Sequence, residues 1–174
     1  SAASDVYKRQ ARGGRRWRSF IGYWPVLLLL AGALDRLWVT EDAFITFRSV
    51  ENLWAGNGPV FNIGQRVESF SHPLWFFILC LLRIGGRELL GPAAALTGVL
   101  MSCAGLGLVL QAGFRRWGSQ LESEGPSAQA PFSLGPRPPT VPLWPVGALL
   151  IAAVPVFWDF SSSGLEGGLS FLWL

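Results

Sequence analysis

The feature that most limits what this chain can become is a polar stretch, Glu41 to Trp75, held between apolar runs. Phe20 to Leu34 precedes it, and Leu74 to Leu82, Pro92 to Phe114 and Val141 to Trp158 follow. Several of these runs approach the roughly 18–20 residues that span a bilayer core. A soluble domain needs a charged surface, and a chain with 14% charged and 51% hydrophobic residues could hardly supply one. The expected fold is all-α, a polytopic helical membrane protein in which the polar stretch forms a loop at the bilayer surface.

The net charge of +3 does not point to nucleic acid. Arg12, Arg15, Arg16 and Arg18 cluster in an N-terminal arm and other arginines flank the apolar runs, as positive membrane flanks do. Cys80 and Cys103 both sit in apolar stretches, where cysteine behaves as a small hydrophobe, so neither a disulfide framework nor a metal-binding spacing is present. Ser1 to Gln10, which contains the single lysine Lys8, resembles a translated linker and is set aside from fold reasoning. The organisation expected is an unstructured arm over residues 1–18 and a membrane domain over 19–174, with an outer loop at 40–72 and a flexible loop at 118–142.

The first apolar run follows a basic flank, the pattern of a signal peptide or an uncleaved signal anchor. Ala31-Gly32-Ala33 resembles a cleavage site, but the apolar character continues to Trp38 and Val39, so an uncleaved helix with a cytoplasmic N-terminus is expected. Thr40 stands where a helix cap would, with Glu41 and Asp42 in the first turn, opposing the positive end of the dipole. Phe44, Phe47, Val50 and Leu53 recur every three residues and are expected to share one face on the membrane. Ala55-Gly56-Asn57-Gly58-Pro59 stops that helix. Gly, Ala and Ser in Pro92 to Phe114 permit close helix approach, and Arg115-Arg116 is expected to end that helix. Phe171-Leu172-Trp173-Leu174 reads as the opening turns of a further helix, so the chain is expected to be a fragment.

Topology stays open between two arrangements. If every apolar run crosses, Glu166 falls on the opposite side from Asp42; if the short run Leu74 to Leu82 only dips in, the two acids share a side.

On residue types alone, Glu41 and Asp42 are either helix-terminal charges or catalytic carboxylates. Arg48 lies two turns from Glu41 on much the same face, free either to bind phosphate or to pair with Glu41 and Glu51. Arg66 and Glu68 are placed to pair across the loop. Glu166 follows a serine-rich turn between helices, where an ionisable group is a functional candidate if it faces Asp42 and a cap if it does not. His72, before Pro73, marks a helix start rather than a ligand. Most tryptophans fall near segment ends as interfacial anchors, with Trp54 or Trp75 open to stacking on a sugar.

Four blocks then carry a resemblance in register: Glu41-Asp42-Ala43-Phe44-Ile45-Thr46-Phe47-Arg48; Ala55-Gly56-Asn57-Gly58-Pro59-Val60-Phe61-Asn62; Gly64-Gln65-Arg66-Val67-Glu68; and Ser71-His72-Pro73-Leu74-Trp75. They resemble the first outer loop of the C-type membrane glycosyltransferases, nearest to the mycobacterial terminal arabinofuranosyltransferase family, and Ser163-Gly164-Leu165-Glu166 is similar to a later motif of that group. The match is good from Trp38 to Trp75 and elsewhere mainly one of hydropathy.

The resemblance implies the N-terminal part of that fold, with a helix of the outer loop lying along the membrane. It implies inverting transfer, on the outer face of the plasma membrane, from a polyprenyl-phosphate sugar, decaprenyl-phospho-arabinofuranose in the nearest relatives. The acceptor would be an arabinan end of an envelope glycan, and the partners otherwise the lipid bilayer, with no nucleic acid. Asp42 would be the catalytic base, and Glu41, Arg48, Asn57, Arg66, Glu68 and Glu166 would bind donor and substrate. The resemblance fixes no cofactor, and Glu41, as a helper to Asp42 or a metal ligand, leaves a divalent cation open. His72 stands where the family leads to Ser, Thr or an apolar residue. Such a fragment would be inactive alone. The competing expectations are a non-catalytic envelope or flagellar-motor-associated membrane protein using the loop as an interaction surface, and a solute transporter, which would want polar groups deep within its spans.

Overall fold

The structure, a computed structural model, describes residues 22–65, 67–123 and 145–173. The N-terminal arm 1–18, Arg66 and residues 124–142 of the expected flexible loop lie outside the described residues. Among those described there are seven α-helices and no strand: α1 Trp24–Asp35, α2 Glu41–Trp54, α3 Pro73–Leu82, α4 Leu90–Ser123, α5 Val146–Ala153, α6 Pro155–Ser162 and α7 Gly167–Trp173.

Helix α4 is the axis on which the others are arranged. Its N-terminal half joins α2, α3 and α7 in one buried cluster of Phe47, Val50, Trp75, Phe76, Leu79, Leu90, Ala94 and Leu169. Its C-terminal half joins α1 and α5 in a second, of Leu29, Leu106, Leu110 and Ala152, with Phe157 and Trp158 of α6 against it. The small residues of α4 do what their composition predicts. A Cβ added at Gly98 would fall 2.5 Å from the Ser161 carbonyl oxygen, and one at Gly105 would fall 2.4 Å from that of Phe171. Backbone-to-backbone approach of α6 and α7 to α4 is open only where no side chain intervenes.

Several boundaries depart from those expected. α4 runs on through Ser123, past Arg115-Arg116, so residues 118–123 of the expected loop are helical. Charged residues do not end a helix, and the first proline beyond is Pro126. The run Val141 to Trp158 is not one helix: Val154 is extended, with φ −85° and ψ 117°, and α6 restarts at Pro155. A residue before proline is pushed out of the helical region, and the ring removes the N–H that would continue the ladder. The Trp158 indole N–H instead meets the Ala152 carbonyl at 2.6 Å.

The stripe expected on α2 is split. Phe47 and Val50 are buried in the protein, whereas Phe44 is 58% exposed and Leu53 lies at the surface. Three-residue steps drift by about 60° each on a helix of 3.6 residues per turn, so the three steps from Phe44 to Leu53 cover about 180°. The inward face is set instead by Ala43, Phe47 and Val50.

Only the segment Leu90–Arg116 of α4, among the described residues, is long and apolar enough to cross a membrane. The shorter apolar helices Trp24–Asp35 and Pro73–Gly85 are not, and the 10 residues of α3 rise about 15 Å, half a bilayer core.

Candidate active site

The site is assembled where α6 gives way to α7. Ser161, Ser162 and Ser163 are all buried, and each hydroxyl donates back to a carbonyl three or four residues earlier: Phe157, Trp158 and Phe160. Buried hydroxyls need partners, and these local ones draw α6 to its end. Gly164 then turns the chain with φ +78°. A side chain there would be crowded as well as strained, since its Cβ would lie 3.2 Å from Val39 Cγ1 and 3.3 Å from Ala43 Cβ. The turn is thus pressed against the beginning of α2.

Three hydrogen bonds from the 40–75 stretch fix it there, beside a longer one of 3.3 Å from the Ser162 hydroxyl to the Arg36 carbonyl. The Thr40 N–H donates to the Ser163 carbonyl at 2.9 Å. The buried Trp75 indole N–H donates to the Gly164 carbonyl at 3.2 Å. The Ser71 hydroxyl donates to Glu166 Oε1 at 3.1 Å. Glu166 is therefore carried onto the 40–72 loop, beside the start of α2. Glu41 and Asp42 stand in the first turn of α2, both exposed and without a hydrogen-bond or salt-bridge partner among the described residues. Thr40 holds the cap position by backbone alone, with no side-chain bond.

Arg48 settles on neither of its sequence-level partners. Its guanidinium lies 4.5 Å above the Phe61 ring. Glu51, its neighbour three residues on, is engaged by Arg83, whose Nε and Nη2 donate to the two carboxylate oxygens, the latter at 3.1 Å. A stacked guanidinium keeps its N–H edge open, so Arg48 remains able to meet an anion. The Asn52 amide secures that platform by donating to the carbonyls of Val60 at 2.7 Å and Phe61 at 3.0 Å.

Of the remaining candidates, Asn57 is held apart from Asp42. Asn57 follows the far end of α2, a helix of 14 residues and about 21 Å, and its backbone N–H closes onto the Asn52 carbonyl. Glu68 is exposed and unpartnered among the described residues, and Arg66 lies outside them. His72 is the cap of α3, its Nδ1 accepting the Trp75 backbone N–H at 3.4 Å. Trp75 is not available to stack on a sugar, being 2% exposed, while Trp54 is half-exposed and carries Arg83 on its face at 5.6 Å. No three of His, Cys, Asp and Glu are grouped to hold a metal ion among the described residues. Two neighbouring exposed carboxylates do not make such a site, and no step below runs through a cation.

Sequence reading passed over Ser71, Asn52 and the Glu51–Arg83 pair. Only the last had a visible signal, an arginine interrupting an apolar run.

Two curated proteins share this sequence over most of its length. A terminal β-(1→2)-arabinofuranosyltransferase of Mycobacterium tuberculosis is 35% identical over 144 residues, 82% of this chain. The protein of the same name from Corynebacterium glutamicum is 30% identical over 141 residues, 80% of it. The chain is a relative of these arabinofuranosyltransferases. It spans about a fifth of their length, 21% and 18% respectively. No family model and no solved structure matches. In this arabinofuranosyltransferase relative the turn bearing Glu166 and the start of α2 bearing Asp42, widely separated in sequence, are parts of one packed unit.

Proposed function

We propose that this chain is part of a multi-pass transferase that moves arabinofuranose from a polyprenyl-phosphate donor to an envelope glycan. The reaction takes place at the outer face of the plasma membrane. The observation that supports the proposal is the docking of the Glu166 turn onto Thr40 and Ser71, which brings two stretches far apart in sequence into contact. The arabinofuranosyltransferase names of the two relatives supply the reaction class and the sugar.

The chemistry needs few groups. Asp42 takes the proton of the acceptor hydroxyl as its oxygen attacks the anomeric carbon. The bond from that carbon to the phosphate oxygen breaks on the opposite face, giving inversion, and the phosphate leaves with its electron pair. Arg48, braced on Phe61, offers its N–H edge to the charge that develops on the phosphate. Glu166, with Ser71 on one oxygen, accepts hydrogen bonds from sugar hydroxyls through the other. Glu41 steadies the acidic turn. The apolar length of α4 provides the surface along which a lipid carrier lies.

The test is transfer by membranes containing the full-length protein that carries this segment, supplied with synthetic polyprenyl-phosphoryl arabinofuranose and a short arabinan. Wild type should transfer, and Asp42→Asn should lose about 10²–10⁴-fold, the share of a general base. Undiminished transfer by Asp42→Asn removes that residue from the mechanism. Absence of transfer by wild-type protein that is folded in the membrane returns the loop to a non-catalytic role.

A further inference from the structure

We propose that Trp75 is a positioning residue for Glu166, acting through the carbonyl of Gly164; this rests on the substrate-binding role given to Glu166 above. The Trp75 side chain is 2% exposed and touches no open surface, so its influence on a reaction must be transmitted. Its indole has a single donor, and a buried donor needs an acceptor. That acceptor is the Gly164 oxygen, two residues before Glu166, in a bond that is itself buried.

The other bonds between the turn and its surroundings are of different kinds. Thr40 to Ser163 joins backbone to backbone, Ser162 to Arg36 is given outward by the turn's own hydroxyl at 3.3 Å, and Ser71 to Glu166 is exposed to water and correspondingly weak. Among the described residues, Trp75 makes the buried side-chain hydrogen bond that another element offers to this turn. The opening of α3 thereby acts as a cradle. Ser71 reaches the carboxylate of Glu166, His72 caps the helix by accepting the Trp75 N–H, and the Trp75 ring reaches the backbone behind it. Gly164 completes the fit from the other side, because a Cβ there would crowd Val39 at 3.2 Å and Ala43 at 3.3 Å. The carbonyl that Trp75 holds lies on the backbone two residues before Glu166, so the bond restrains the segment that presents that carboxylate to Ser71.

The experiment is a double-mutant cycle on kcat/KM in the full-length protein, with Trp75→Phe, Glu166→Gln and the pair. Trp75→Phe should lower kcat/KM about five- to thirtyfold, the size of one buried hydrogen bond left unmade. Glu166→Gln should lower it further, and the double variant should match Glu166→Gln within about twofold. A purely structural tryptophan would give losses that multiply, and that result, or an unchanged Trp75→Phe, overturns the proposal. The benzothienyl-alanine isostere of tryptophan, with sulfur in place of the N–H, removes the donor at constant shape and must reproduce the result if the phenylalanine variant fails to fold. Loss in Asp42→Asn with full activity in Glu166→Gln would instead strike at the role assigned to Glu166. Multiplying losses in a transferase that needs Glu166 would strike at Trp75 alone.

Discussion

Replacing Gly164 by alanine probes the contact on which the site's assembly depends. At φ +78° an L side chain is strained by about 1–2 kcal/mol. The new Cβ would stand 3.2 Å from Val39 Cγ1, 3.3 Å from Ala43 Cβ and 3.5 Å from Phe47 Cζ. Ala43 cannot rotate clear, because its Cβ is fixed to the backbone of α2. Crowding of this kind costs about 1–3 kcal/mol. Reduced freedom of the unfolded chain returns about 0.4–1 kcal/mol. The net destabilisation is about 1–5 kcal/mol.

Gly58 supplies the control. It has φ +87° but nothing within 4 Å of an added Cβ, so Gly58→Ala carries the strain without the crowding. Gly164→Ala should therefore exceed Gly58→Ala by about 1–3 kcal/mol. In thermal unfolding of the purified protein in detergent, at about 2–4 °C per kcal/mol for a chain of this size, that is a gap of about 2–12 °C. Equal shifts in the two variants would refute the seating of the turn against α2.

Two further tests address the frame of the site. Gly105→Ala should destabilise by about 1–3 kcal/mol, because its Cβ would fall 2.4 Å from the Phe171 carbonyl oxygen of α7. Gly107→Ala, with open space around it, should instead stabilise by about 0.5–1 kcal/mol through helix propensity, and unfolding midpoints of opposite sign check both. Glu51→Gln and Arg83→Gln should each loosen the end of α2, and the exchanged pair Glu51→Arg with Arg83→Glu should recover part of the loss. Denaturant unfolding that finds the exchanged pair no better than the sum of the single changes would show that the two side chains do not act together.

Much of the local architecture was legible in the residues. Glu41 and Asp42 open a helix, Ala55 to Pro59 closes it, His72 caps α3, and the serines before Gly164 mark the junction of two helices. These are short-range effects, in which a side chain or a glycine acts on its own backbone. The misjudged boundaries were short-range as well. Arg115-Arg116 carry ordinary helix propensity and do not end α4, whereas Pro155 breaks a run that its apolar pattern presents as one. The stripe from Phe44 to Leu53 was read with a spacing that drifts around the helix.

Determined by sequence alone, then, were the helical class, the apolar segments, the caps and the chemical types available for a reaction. Which of those groups meet was decided only in three dimensions. Whether Glu166 lies beside the start of α2, whether Glu51 turns to Arg48 or to Arg83, and whether Trp75 faces a sugar or the Gly164 carbonyl all depend on packing α2, α3 and α7 around one half of α4. Turn chemistry and helix periodicity act over a few residues. The choice of partner between Trp75 and Gly164 is settled by which apolar faces exclude water together, and no local pattern in the chain encodes that.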